Sequence, residues 1–225
     1  LALRVHAHAV CEKPLVINPW NLDALEEIEA EYGSRVYTVL QLRLHPALRA
    51  LRDRLLAEQR SDRAEVCLTY ITRRGPWYHV SWKGAEEKSG GLVMNIGIHF
   101  FDLLMWLFGR PERSIVHLRT PARVAGLLEL ERARVRWFLS IDGHDLPESA
   151  VREGRAAFRS ITIDGEEVEF SESFGQLHTR VYEDILGGGG YGIAEARPSI
   201  DLVYRIRRSE AEGPRGSLVH PLLAR

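Results

Sequence analysis

The stretch Ser89–Gly109, SGGLVMNIGIHFFDLLMWLFG, decides how the rest of the chain is read. It opens on small residues, is apolar for most of its length, and stops at a glycine followed by Arg110-Pro111. That pattern predicts a helix with a defined end, because glycine closes a helix in the left-handed conformation and proline cannot continue one. Three polar side chains interrupt it, Asn95, His99 and Asp102, at spacings of four and three. Those spacings put them on one helix face. A polar stripe on an apolar helix must be paired, solvated or functional, because burying it unpaired is costly. Two readings stay open. In one, His99 and Asp102 satisfy each other or nearby backbone inside a core. In the other, they serve chemistry.

A second stretch, Val10-Cys11-Glu12-Lys13-Pro14-Leu15, lies far upstream. The short apolar run HAHAV leads into it, and Asn18-Pro19 then starts a helix. Lys13 therefore sits just past an expected strand end, which is where open α/β sheets bind ligands. A lone Glu-Lys-Pro is a common loop. Its combination with Asn-x-Gly-x-His opening a helix later in the chain is more informative.

CEKPL followed by SGGLVMNIGIHFFDLLMWLFG resembles the glucose-fructose oxidoreductase / inositol dehydrogenase / MocA family of NAD(P)-dependent sugar oxidoreductases. YTVLQLRLHP, RGPWYHVSWKG, RSITIDGEEVEF and EARPSIDLVYRIRRS extend the resemblance over nearly the whole chain. They are most similar to the branch that oxidises the 3-hydroxyl of UDP-linked 2-acetamido-glucuronate in surface polysaccharide synthesis. The resemblance implies that Lys13 touches both substrate and cofactor, with Glu12 beside it in the cofactor contact. It implies that His99 exchanges a proton with the reacting hydroxyl. Arg43, Tyr78, Lys83, Asn95 and Asp102 are the implied substrate contacts, NAD is the implied cofactor, and a homo-oligomer through an open sheet is the implied assembly. Asn95 departs from the general family, which more often has Asp there, and matches the UDP-sugar branch. The family's glycine fingerprint would lie well ahead of Glu-Lys-Pro, so the resemblance implies that residues 1–42 are the last part of a dinucleotide-binding domain and 43–225 a substrate and oligomerisation domain. The chain by itself is then expected to bind NAD weakly or not at all, without the pyrophosphate cradle at a helix start. Two rivals remain: a non-catalytic sugar-binding or oligomerisation module, and a dehydrogenase of a free sugar or inositol.

Read on its residues, the rest of the chain agrees with an α+β fold. The 225 residues carry a formal net charge of -1 and are 45% hydrophobic, an ordinary globular composition that gives no reason to propose nucleic acid or an anionic membrane as partner. No apolar run reaches the ~20 residues of a membrane span, and no signal peptide is recognised. Cys11 and Cys67 are too few for a disulfide framework or a metal site, and the cytoplasm is the expected compartment.

Asn18–Gly33 is a predicted helix capped by Asn18, with Leu22, Leu25 and Ile28 on its apolar face. Val36–Leu42 is a predicted strand, and Arg43 follows its end. Pro46–Glu58 reads as a helix and Glu65–Thr72 as a strand. Arg73–Gly84 reads as a loop whose aromatics and cations either line a sugar-nucleotide pocket or pack on one another. Short strands follow at Ser114–Arg119, Gly126–Glu131 and Val135–Ile141. A hairpin over Ser160–Phe170 turns at Asp164-Gly165. Gly175–Leu186 and Ala194–Ser209 read as helices, and Gly187–Gly190 between them as a plain loop, since no Lys-Ser/Thr follows. The expected architecture is the end of a Rossmann-type lobe followed by an open, mainly antiparallel sheet flanked by helices.

Overall fold

The structure, a computed structural model, describes residues 1–58, 60–168, 170 and 174–224, and of His79 and Phe174 the backbone alone. In chain order the elements are β1 (Ala9–Cys11), α1 (Trp20–Tyr32), β2 (Val36–Thr38), α2 (Pro46–Ala57), β3 (Ala64–Thr72), and the short helices α3 (Trp77–Val80) and α4 (Glu86–Ser89). A π-helical turn (Val93–Gly97) runs into α5 (Ile98–Phe108). Then come β4 (Pro111–Arg119), β5 (Arg123–Leu130), β6 (Ala133–Ser140), α6 (Glu148–Arg152), β7 (Ala157–Ile163), β8 (Glu166–Glu167), α7 (Leu177–Leu186) and α8 (Ile193–Arg208). Contacts divide the chain into two compact units. One comprises Leu1–Gln59, Ile98–Leu107 and Glu169–Tyr204; the other comprises Arg60–Gly97, Phe108–Val168 and Arg205–Arg225.

The first unit is built on a parallel strand–helix–strand. Ala9, Val10 and Cys11 pair with Val36, Tyr37 and Thr38, and α1 connects the two strands. Gly33 ends α1 at φ +64°, as expected. The start of α1 differs from the expectation. Asn18 makes no side-chain cap; the first helical residue is Trp20, and the Asn18 carbonyl accepts from the Asn21 amide at 3.2 Å. The expected strand over Val36–Leu42 stops at Thr38, and Gln41–Leu44 winds into a 3-10 turn. The cause lies in the partner. β1 is three residues long, and Pro14 beyond it has no amide to donate to a ladder. Arg197 of α8 holds α1 with charge-assisted bonds of 2.8 Å to both Asp23 and Glu26. Val39, Leu44 and Val181 form a small core with Ile185 and Tyr191.

The second unit is a six-stranded sheet in the order β4-β5-β6-β3-β7-β8. All neighbours are antiparallel except β3 and β6, which run parallel over Ala64–Ile71 and Ala133–Ser140. This mainly antiparallel sheet with flanking helices is the expected fold class. Strand periodicity of two divides its faces. Val66, Leu68, Leu128, Val135 and Trp137 are fully buried, while Glu65, Cys67, Arg134 and Arg136 on the opposite face are half-buried. One end of that second face is covered: Leu222 and Leu223 pack with Leu146 and Ala150 against Ile71, Ala125 and Phe138. The β7–β8 hairpin turns at Asp164-Gly165, with φ of 52° and 88°. Two positive φ values in a two-residue loop match the right-handed twist of the strands. Its second arm is β8, and Glu169 of the expected arm lies outside the described residues.

The long apolar helix is broken near its start. α4 ends at Gly90, and Gly90 and Gly91 have φ of 77° and 74°. A Cβ on Gly90 would lie 2.7 Å from the Met94 side chain, so both conformation and space require glycine. By length and apolarity alone Glu86–Phe108 would cross a bilayer, which the sequence was not expected to offer. Its most apolar window is mostly buried in the protein, the condition of a core helix.

Candidate active site

From Leu92 to Met105 every residue is buried except Asn95 and His99. These two polar groups are where an otherwise enclosed helix meets solvent. Asn95 lies within the π-helical turn, a local rewinding that recurs at functional sites. Its Nδ2 donates to the Tyr78 hydroxyl at 3.0 Å, and Tyr78 is itself only 3% exposed, so the amide is held from behind. His99 stands against the Phe100 ring at 4.3 Å between centroids. Its Nδ1 is shut off from solvent.

Asp102 is different. It is 2% exposed, and its two carboxylate oxygens accept from Arg43 Nε at 2.9 Å and Nη2 at 2.6 Å. Burial pushes the Asp102 carboxyl above the usual range, and the Arg43 fork opposes that shift. Arg43 Nη2 also donates to the Glu195 carbonyl at 3.2 Å, and the guanidinium lies 5.1 Å from the Tyr191 ring centre. Of the alternatives open for Asp102 in the sequence, pairing with His99 is not the one observed: its carboxylate pairs with Arg43, because the 3-10 turn after β2 brings that arginine to α5.

Lys13 and Glu12 follow the carboxyl end of β1. Lys13 is half-buried and precedes Pro14 in a cis peptide bond. Glu12 is exposed and meets His178 Nε2 of α7 at 2.9 Å. In the other unit, Tyr78 and Lys83 line a cavity of about 390 Å³ that also receives Glu86, Gly90 and Gly91, with Arg119 from β4 and Arg207 from α8. Arg119 donates to the Ile206 and Ser209 carbonyls, and Arg207 Nε stands 3.8 Å from Glu86. Arg119 and Arg207 were not singled out in the sequence; each is one basic residue among many until the fold delivers it. The Arg73–Gly84 loop packs on itself in part, since Trp77 meets Tyr78 edge-on at 5.9 Å, while Trp77 and Trp82 remain about half exposed. Among the described residues no three His, Cys, Asp or Glu are grouped to hold a metal.

Nicotinamide cofactors of open α/β folds bind beyond the carboxyl ends of parallel strands. Glu12 and Lys13 follow the carboxyl end of β1, which is the position at which such a cofactor would be met. The pyrophosphate end has no counterpart among the described residues: α1 begins at Pro19-Trp20, without a glycine turn.

A half-buried histidine on a core helix and a lysine beyond a strand end are the titratable groups that these elements present, and comparison with known proteins gives the class of protein. Residues 64–143 match the family described as "Oxidoreductase family, C-terminal alpha/beta domain". The chain is 54% identical to the WlbA (WbpB) dehydrogenase from Thermus thermophilus, solved in complex with NAD and alpha-ketoglutarate. That match covers 98% of this chain and 71% of that one at a TM-score of 0.93. The complex of that dehydrogenase with NAD and UDP-GlcNAcA matches over the same shares at a TM-score of 0.92. The WlbA dehydrogenase from Bordetella pertussis, with NADH and UDP-GlcNAcA, shares the fold at 20% identity and a TM-score of 0.73, over 92% of this chain and 71% of that one. A stretch of 116 residues is 26% identical to YteT of Bacillus subtilis (strain 168), which is 51% of this chain and 27% of that protein. The chain belongs to the glucose-fructose oxidoreductase / inositol dehydrogenase / MocA family of oxidoreductases.

Proposed function

We propose that this chain carries the substrate side of an NAD-dependent dehydrogenase that oxidises the 3-hydroxyl of UDP-2-acetamido-2-deoxy-glucuronate. The observation that carries the reading is His99: a titratable side chain kept accessible on a helix that is otherwise enclosed from Leu92 to Met105, apart from Asn95. His99 Nε2 accepts the hydroxyl proton, and imidazole suits that task near neutral pH. Lys13 donates a charged hydrogen bond to the same oxygen as negative charge grows on it. NAD, when bound, takes the hydride. Glu12 and Lys13 meet the cofactor's nicotinamide end. Asn95, held by Tyr78, is a further contact for the sugar, and the Arg43–Asp102 pair fixes α5, which carries His99. Lys83, with Arg119 and Arg207 around the 390 Å³ cavity, suits the diphosphate of a nucleotide sugar. The similarity to dehydrogenases solved with UDP-GlcNAcA supports this choice of substrate.

Residues 1–42 are read as the end of a dinucleotide-binding domain and 43–225 as the substrate domain, which associates with further copies through the half-buried sheet face. In the enzyme expressed from its full reading frame, His99→Ala is expected to lower turnover ~10²–10⁴-fold, the usual scale of general-base catalysis. Lys13→Met should lower turnover while leaving thermal stability near wild type. Turnover of UDP-acetamido-glucuronate at near wild-type rate by a folded His99→Ala enzyme would remove the assignment.

A further inference from the structure

The end of the six-stranded sheet from which β3 and β6 both depart carries charge that the proposed oxidation does not use. Because β3 and β6 are parallel, the chain beyond each leaves at the same end. The Arg74 amide donates to the Ile141 carbonyl at 3.2 Å, and the Arg73 amide donates to the Ala156 carbonyl at 2.8 Å. β7 enters antiparallel at that end, with Ala157 opposite Thr72, and so brings Arg155 there as well. Three chain segments thus deliver Arg73, Arg74 and Arg155 to the wall of one cavity of about 670 Å³.

The nearby acids are already engaged. Asp142 accepts from Arg123 Nη2 at 2.8 Å, from the His144 amide at 2.9 Å and from the His144 ring at 2.8 Å. Asp145 accepts from Arg123 Nε and from the Ser140 hydroxyl, both at 2.6 Å. Arg155 meets Glu153 at 2.8 Å. Arg73 and Arg74 stand apart from this pattern: among the described residues neither guanidinium has a hydrogen-bond or ion-pair partner, and the Nε of Arg74 is buried without an acceptor. Gly143 leaves room for the Arg73 stem, since a Cβ there would lie 2.8 Å from its Cδ. The loop backbone therefore lies directly against that side chain.

A buried donor without an acceptor is costly, and the cost is removed when a ligand accepts. Guanidinium groups pair in parallel with the oxygens of carboxylate and phosphate. We propose that this cavity binds a small organic dianion, a phosphate monoester or a dicarboxylate, with its anionic groups on Arg73 and Arg74. Ile141, Leu146 and Val151 line the same cavity and cover the carbon skeleton. The volume falls within the ~300–1,000 Å³ of small-molecule sites.

Calorimetric titration of the full chain, in chloride buffer, with glycerol 3-phosphate and separately with succinate tests this. Saturable binding of at least one probe is expected, and the tighter probe tells phosphate from carboxylate recognition. Arg74→Gln and Arg73→Gln should each weaken that binding about 10-fold or more, as the loss of a charged hydrogen bond does. No saturable binding of either probe, or unchanged affinity in both variants, overturns the proposal. Should Arg74→Gln fail to fold, exposed Arg73→Gln and the amide resonances of Gly143 and Gly154 in the unaltered chain decide. Those resonances shift to saturation with the probe if the site is real and stay fixed if it is not.

Discussion

Arg43 and Arg74 begin alike and end differently. Each follows the carboxyl end of a strand, β2 for one and β3 for the other, and each is half-buried. Arg43 finds a carboxylate 59 residues away, on α5, and makes two charged hydrogen bonds to it. Arg74 finds none among the described residues. A cation beyond a strand end is thus not informative by itself. What separates a cation that holds the fold from one that awaits a ligand is whether the protein supplies the counter-charge.

The largest expected effect strikes the compensated side. Asp102→Ala would leave Arg43 without its carboxylate, with the Glu195 carbonyl and the Tyr191 ring beside it, and should destabilise the chain by about 3–5 kcal/mol in urea unfolding. Replacing both partners, Arg43→Met with Asp102→Leu, should recover most of that loss, because the burial cost of two charges disappears with them. A cost below ~1 kcal/mol for the single change would place this pair among ornamental surface bridges and erase the contrast.

His220 marks a third treatment of a buried basic group: it is kept neutral. It is 1% exposed, stacks on Phe138 at 5.4 Å and bonds Thr69 at 3.0 Å. Burial, helped by Arg136, pushes its pKa down to about 4 from an ordinary 6.5. The folded value lies below the unfolded one, so the unfolded chain takes up the proton first. Stability contributed by this group is complete above pH 6.5 and declines as pH falls toward 4. A gap of about 2.5 pH units corresponds to roughly 3 kcal/mol at 1.36 kcal/mol per unit. Chemical denaturation at a series of pH values should show this decline, and His220→Phe should flatten it. An equally steep decline in the variant would assign the effect to other groups.

Smaller effects refine the contrast. Tyr78→Phe removes the acceptor of Asn95 Nδ2 and should cost on the order of 1 kcal/mol, read as a lowered melting midpoint. Arg74→Gln, in chloride without an added dianion, should change stability by no more than ~0.5 kcal/mol. A loss as large as that of Asp102→Ala would make Arg74 a structural residue and end its distinction from Arg43.

Much of this fold is written locally. The apolar run into Gly109, the Asp164-Gly165 turn and the alternation over Glu65–Thr72 each correspond to an observed element, because the signal and the structure share the same few residues. Local pattern misled where a neighbour set the outcome. β2 ends at Thr38 despite Val39-Leu40 because β1 offers three residues of ladder. Asn18 precedes the helix without capping it because Pro19 occupies the cap position in helical conformation. His99 and Asn95 were visible in the sequence as interruptions of an apolar helix, and both keep solvent access. The pairing of Asp102 with Arg43, and the meeting of Arg73, Arg74 and Arg155 at one sheet end, join residues dozens of positions apart, and no spacing rule relates them.

The π-helical turn over Val93–Gly97 has a bearing on how this chain tolerates changes in length. A helix wound through such a turn holds one residue more than regular winding needs for the same rise. Deleting one residue there would let the segment relax into ordinary α-helix while every hydrogen bond of α5 stayed in place. The remaining residues of the turn would then close the same rise with nearly the same net rotation, so the flanking helix would keep its phase. A deletion within α5, where the winding is regular, has no such slack and turns the residues on one side of it by about 100°, one residue's share of a 3.6-residue turn. The turn is a reserve of one residue's length, and Val93–Gly97 is where the helix can give that residue up.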